Sequence, residues 1–268
     1  MFKIESVPGQ LRCYAQRAIG MKEVQGGLRS STGGLPPEGL KFEWPQCDGR
    51  ALSLIATLYL EELPTLHAWL PNDGVLLFFY DLEEEPWGDD STESDGWRVL
   101  WVADTSKGRA AVCERPQNLK DGFVFQSRPL SFDLVETLPF IDHPLFEEVE
   151  SCDSLMDELE ERTESDEGGP SCGHLGGYSG AANGALYAFR CRQQIIGENP
   201  MLAYEANLEE IQAAEGEMCL LFEYEMDERS EEEAPEIYGS RNLSFWAFKA
   251  DVRQQDFSKV WLRLETDS

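Results

Sequence analysis

A chain of 268 residues with 41% hydrophobic content, including 7 Trp, 14 Phe and 8 Tyr, is long enough to bury a real core and is not globally disordered. Its 51 acidic against 22 basic residues leave a formal net charge of -29. Such a field repels phosphate backbones and anionic lipid, which argues against nucleic-acid or membrane binding; it attracts a basic partner, or simply keeps the chain in solution.

Residues 11–24 read as a short helix ended by Gly26-Gly27, so 1–30 is expected to be an N-terminal helical segment. The stretch 33–39, rich in Gly and Pro, reads as an ordered loop that leads to Phe42-Glu43-Trp44-Pro45. ALSLIATLYL (51–60) and VLLFFY (75–80) read as strands, the second apolar on both faces and therefore central. Pro71-Asn72-Asp73-Gly74 supplies the turn before it. WRVLWVA (97–103) and LSFDLV (130–135) follow as strands, the latter alternating with period two.

From 147 to 167 almost every charge is negative, and Ser154 with Asp157 resembles a capping box that opens a helix over 155–162. A half boundary is expected near 147–170, within a single domain spanning 31–268. Beyond it, 186–191 and 218–226 read as strands, and 207–214 as a helix with Asn207 and Glu210 as its capping pair. LSFWAFKA (243–250) and VWLRL (260–264) close the pattern. Segments 51–80 and 218–248 echo one another, which makes two duplicated halves a candidate reading. The fold class expected is mainly β, α+β at the margins, with twisted antiparallel sheets and a few short helices.

The seven cysteines (Cys13, Cys47, Cys113, Cys152, Cys172, Cys191 and Cys219) are odd in number, widely spaced and without a CxxC pair, as reduced thiols would be. No stretch reaches the roughly 20 apolar residues of a membrane span, and the first residues carry no signal-peptide pattern. A cytoplasmic location is expected.

Motifs that carry chemistry are sparse. Gly177-Tyr178-Ser179-Gly180-Ala181 falls one glycine short of a nucleophile elbow and follows a glycine-rich loop instead of a strand, so it reads as a structural turn. The three histidines, His67, His143 and His174, show no zinc-ligand spacing, and Cys172-x-His174 lacks two further donors. The acidic stretch 81–96 invites a calcium test as the weaker alternative to having no cofactor. An EF-hand register starting at Ser91 would put Val102 where a chelating carboxylate is required, so a solvated acidic loop is preferred. Phosphate-binding glycine motifs are missing, and no enzyme is expected.

A more specific pattern runs in order through the chain: Gly34-Leu35-Pro36, Trp44-Pro45, Cys47-Asp48-Gly49, LSLIATLYLEELP, LPNDGVLLFFYD, Trp87-Gly88, His174-Leu175-Gly176-Gly177-Tyr178, LLFEYEMD and DVRQQDFSKVW. It resembles the YwqG-like family of bacterial proteins of unknown function from about residue 33 to the end. The resemblance implies twisted antiparallel sheets with few helices and transfers no catalytic residue. Members often sit beside polymorphic toxin genes, which suggests an immunity or antitoxin-like role. Thr57 stands where the family usually has glutamine within the first long strand, and a second family glutamine falls near Glu223, which puts any shared ligand preference in doubt; the acidic stretch 147–170 is particular to this chain.

Charge and resemblance together lead to the expectation of a non-catalytic protein-binding protein that neutralises a basic toxin. Glu83, Glu84, Glu85, Trp87, Asp89, Asp90, Asp95 and Trp97 form the expected partner-binding surface. The alternative is a small-molecule-binding protein or hydrolase with a pocket near Trp44, His174 and Tyr178.

Overall fold

The computed structural model describes residues 2–3, 11–26, 28–103, 112–140, 142–146, 171–181, 184–226 and 241–266. Its first eight strands are β1 (Phe2–Lys3), β2 (Gln16–Glu23), β3 (Ser31–Thr32), β4 (Gln46–Cys47), β5 (Arg50–Ala51), β6 (Ser53–Tyr59), β7 (Val75–Tyr80) and β8 (Trp97–Val102). Five more follow: β9 (Arg128–Thr137), β10 (Gly173–Leu175), β11 (Met218–Met226), β12 (Arg241–Phe248) and β13 (Trp261–Thr266). The α-helices are α1 (Tyr187–Ile196), α2 (Leu208–Glu217) and α3 (Lys249–Arg253). Strands β4 and β5 pair with each other; the remaining eleven form one antiparallel sheet in the order β13-β12-β11-β10-β2-β9-β3-β6-β7-β8, with β1 beside β9. The fold is mainly antiparallel β, as the patterning implied.

Local chemistry explains the elements that matter. All six residues of β7 are buried, as its two-faced apolar run requires. Gly74 before it has φ 91, and a side chain there would meet the Trp101 indole, whose Nε1–H donates to the Asp73 carbonyl at 2.9 Å. Helix α2 opens on a full capping box: Asn207 accepts from the Glu210 amide, and the Glu210 side chain accepts from the Asn207 amide.

Two expected elements are corrected. Residues 16–23 form a strand, not part of a helix, and Ala18 to Met21 are buried in the middle of the sheet. Residues 184–186 and 187–196 form a 3-10 turn and α1 in place of a strand. Buried Tyr187, Ala188 and Cys191 recur at helical spacing, and Gly197 in the left-handed conformation (φ 77) ends the helix. The helix expected over 155–162 lies outside the described residues.

The sheet is built twice over. Strands β2, β3, β6, β7 and β8 pair in the same pattern as β9, β10, β11, β12 and β13. The two leading strands pair with each other, and each half's short second strand pairs with the other half's leading strand: β3 with β9, β10 with β2. The register is matched too. Ser31 lies opposite Pro129 and Thr57, and His174 lies opposite Gly20 and Glu223. Thr57 and Glu223 are therefore equivalent positions. Bulges fall at the same place, between Leu54 and Ala56 and between Leu220 and Phe222. Gly33-Gly34 after β3 and Gly176-Gly177 after β10 all have positive φ. The second half opens at β9; the stretch 147–170, where the acidic run suggested a boundary, lies outside the described residues.

The two three-stranded ends close on a shared core. Phe78 of β7 meets Phe222 at 4.4 Å and its own equivalent, Phe245, edge-on at 5.3 Å between ring centroids. Trp97 meets Trp261 edge-on at 5.2 Å where the ends of the sheet approach. A second cluster containing Leu52, Leu54, Leu77 and Phe79 is covered by Phe42 and Trp44. Helix α1 lies against β11, β12 and β13, and its Tyr187 hydroxyl donates to Glu265 at 2.6 Å. Phe78→Ala is expected to destabilise the fold by about 3–5 kcal/mol. Urea unfolding measures this, and a loss under about 1 kcal/mol would show that the aromatic centre does not hold the two ends together.

Candidate functional site

The acidic segment between β7 and β8 is tied into the fold. Asp81 is buried; its Oδ1 accepts the Glu83 and Glu84 amides, and its Oδ2 accepts Arg50 at 3.0 Å. Glu83 pairs with Lys120 at 2.7 Å, Glu84 with Arg50 at 3.7 Å, and Glu85 with Arg241 at 2.6 Å. Asp89 meets Arg263 at 2.5 Å and Arg190 at 3.3 Å. Asp90 accepts the Thr92 amide, Glu93 accepts the amides of Gly88 and Asp89, and Asp95 pairs with Arg98. Arg241 and Arg263 are 5% and 6% exposed, so each needs an acid beside it. Asp81, Glu83, Glu84, Glu85, Asp89 and Asp95 thus balance the chain's own cations, whereas Asp90 and Glu93 hold backbone amides. Trp97 is 1% exposed and gives its indole N–H to the Val260 carbonyl, so it is a core residue and not a surface anchor; Trp87 is 46% exposed.

The His174–Tyr178 element follows β10. His174 is fully enclosed, its Nε2–H donating to the Tyr178 carbonyl at 2.8 Å and its Nδ1 3.8 Å from Glu223. Burial lowers its pKa, the Glu223 charge opposing. The Ser179 hydroxyl donates to Glu223 at 2.5 Å, and the Gly180 amide donates to the other carboxylate oxygen at 2.8 Å. That serine is bound to an acid with no imidazole positioned to take its proton, so the group holds a turn together.

Beside this turn lies a cavity of about 130 Å3, lined among others by Gln16, His67, Trp69, Tyr178, Glu215 and Lys249. His67 stacks on Trp69 at 4.7 Å. Its Nε2 is sealed against Gly176, and no partner meets it at hydrogen-bonding geometry. Burial lowers the His67 pKa, although the Leu175 carbonyl opposes the shift. Burial, reinforced by Glu215, pushes the Tyr178 phenol up to about 12. Lys249, lowered by burial, donates to the Glu215 and Gly216 carbonyls at 2.8 and 3.0 Å and so caps the end of α2. Trp44 is not part of this cavity: it packs on Phe79 at 5.4 Å in the second cluster.

A roomier concavity, about 690 Å3, runs along β8. One wall is Arg98 to Trp101, the other Gln255 and Phe257 to Trp261, and Gln194 and Ile195 of α1 close one side. Among the described residues that line it none is Asp or Glu, whereas Arg98, paired with Asp95, and Lys259 are cationic. The sequence reading missed this groove, since its walls come from three distant segments. The short WRVLWVA run showed a strand but not whether the strand had a second neighbour.

Residues 30–265 match a family model described as a domain of unknown function (DUF1963). No curated protein matches the chain.

The two lowered histidines have a pH consequence. Each folded-state pKa lies below the ordinary 6.5, so the unfolded chain takes up more protons as pH falls through that value, and stability drops toward acid. The urea midpoint is expected to decrease between about pH 7.5 and about pH 5.5, and to decrease less in His67→Phe. Equal decreases in both proteins would remove His67 from the account.

Proposed function

The chain belongs to the DUF1963 family, a domain of unknown function, and from that premise we propose that it is a non-catalytic protein acting by stoichiometric association with another protein. The observation that supports this best is the open 690 Å3 groove along a strand edge, a shape suited to a polypeptide more than to an enclosed small molecule. The YwqG-like resemblance gives the reading a specific form: a cytoplasmic immunity or antitoxin-like protein whose partner is a basic toxin.

Net charge supplies the attraction over distance. Of the net charge of -29, about half comes from two stretches, 147–170 and 227–240, which together hold 17 acidic and 2 basic residues. Steering of this kind needs no particular carboxylate at the interface. The segment 81–96, with its acids paired internally, is therefore a weaker choice for the contact than the sequence pattern implied. A second reading, small-molecule binding at the cavity beside Tyr178, rests on the sealed Nε2 of His67. No helix among the described residues is long and apolar enough to cross a membrane.

The test is association with the product of a neighbouring toxin gene, followed by stopped flow. A protein partner should be captured one to one, and its association rate should fall about tenfold between low and physiological salt. Failure to capture it would remove the toxin-neutralising form, and a salt-independent rate would remove the electrostatic one.

A further inference from the structure

The two halves end in equivalent edge strands, β13 and β8, and the structure treats them differently. Along β13 the chain lays its own segment Pro86-Trp87-Gly88-Asp89. The Leu264 amide donates to the Trp87 carbonyl at 3.2 Å, and the Gly88 carbonyl accepts the Trp261 indole at 2.9 Å and Arg263 at 3.0 Å. Asp89 adds its carboxylate to Arg263. Gly88 lies so close that a side chain there would stand 1.9 Å from the Leu262 carbonyl oxygen. A short acid-bearing segment, bent at Gly88 (φ 73), with that glycine at closest approach thus covers that edge.

The β7–β8 connection that provides the cover spans 81–96, whereas the equivalent β12–β13 connection spans only 249–260 and spends five residues on α3. It reaches β8 through the Val260 carbonyl, which accepts from Trp97, and leaves the 690 Å3 groove over the rest. Matched pairing makes Val99 and Trp101 the equivalents of Leu262 and Leu264. Their backbone groups accordingly face the groove, where an edge strand would otherwise be covered.

We propose that this edge of β8 is a docking groove for a short, acid-bearing segment of another polypeptide, seated as residues 86–89 are seated on β13. The inference deepens the protein-binding reading and rests on it. Charge selects the occupant: in a chain with 51 acidic residues none of the described residues lining the groove is Asp or Glu, and it offers the exposed Lys259, Arg98 being already held by Asp95. Leu100, Trp101 and Phe257 give apolar surface between them. A second copy of this chain is the poorer occupant, because two bodies of charge -29 repel. Long-range steering of a basic partner and local capture of an acidic segment of it are compatible, since the first depends on net charge and the second on a few groups.

The experiment uses the full chain and a phage-displayed library of random octapeptides, with retained peptides synthesised and measured by fluorescence anisotropy. Retained sequences should be enriched in Asp and Glu, Lys259→Glu should weaken them about fivefold or more, and bound peptide should slow amide exchange in 97–102. Because Lys259 is exposed, that variant keeps the fold, and the exchange measurement is independent of any substitution. Three results would overturn the proposal: no retained peptide, retained peptides rich in Lys and Arg, or acidic peptides indifferent to Lys259→Glu that leave 97–102 unprotected. Self-association abolished by Lys259→Glu would also overturn it, in favour of a second copy. A toxin partner that binds without protecting 97–102 would sink the groove alone and leave the protein-binding reading standing.

Discussion

The pairing of β2 with β9 is the contact on which everything else is arranged. Eight residue pairs, from Gln16↔Thr137 to Glu23↔Leu130, fix one half against the other. Gly20 lies within this pair because a side chain there would come 2.9 Å from a methyl carbon of Val135. Once the register is set, the outer edge of β9 accepts β3 and the outer edge of β2 accepts β10. From β3 and β10 the two aromatic meanders follow, and they curl until Phe78 touches Phe245. The His174–Tyr178 turn and the seam between β8 and β13 inherit their positions from that central pair.

Charge is divided between two tasks. At the seam, acids are structural: Glu85 and Asp89 supply the negative partners that the enclosed guanidinium groups of Arg241 and Arg263 require. Remove either acid and a cation would be left in a poorly hydrated place. The surplus that makes the molecule so negative lies elsewhere along the chain, chiefly in 147–170 and 227–240. A high density of carboxylates in sequence is therefore a poor guide to which of them remain available.

Legibility in the sequence followed the range of the forces involved. The strand β7 and the capped start of α2 were readable because their determinants are local: a run of six buried apolar residues and a four-residue exchange of hydrogen bonds. Residues 16–23 were misread because their strand character comes from neighbours more than a hundred residues away, and 186–191 because a short apolar run does not distinguish a strand from a buried helix face. The echo between 51–80 and 218–248 was visible as pattern, whereas the exchange of short strands between halves was not. At the surface, Trp97 looked like an anchor beside an acidic loop and is buried by residues 163 positions away. The groove was invisible for the same reason. Its walls meet only after the sheet has curled.

The exchange of short strands has an implication for ancestry and for covalent continuity. Neither half completes a sheet by itself: β2 alone would have both edges open, and so would β9. An isolated half would find what it lacks in another copy of itself, related by a twofold axis near Lys22 and Ser131. The present chain has the architecture of a fused homodimer whose two equivalent edges differ: among the described residues one is covered by 86–89 and the other borders the groove.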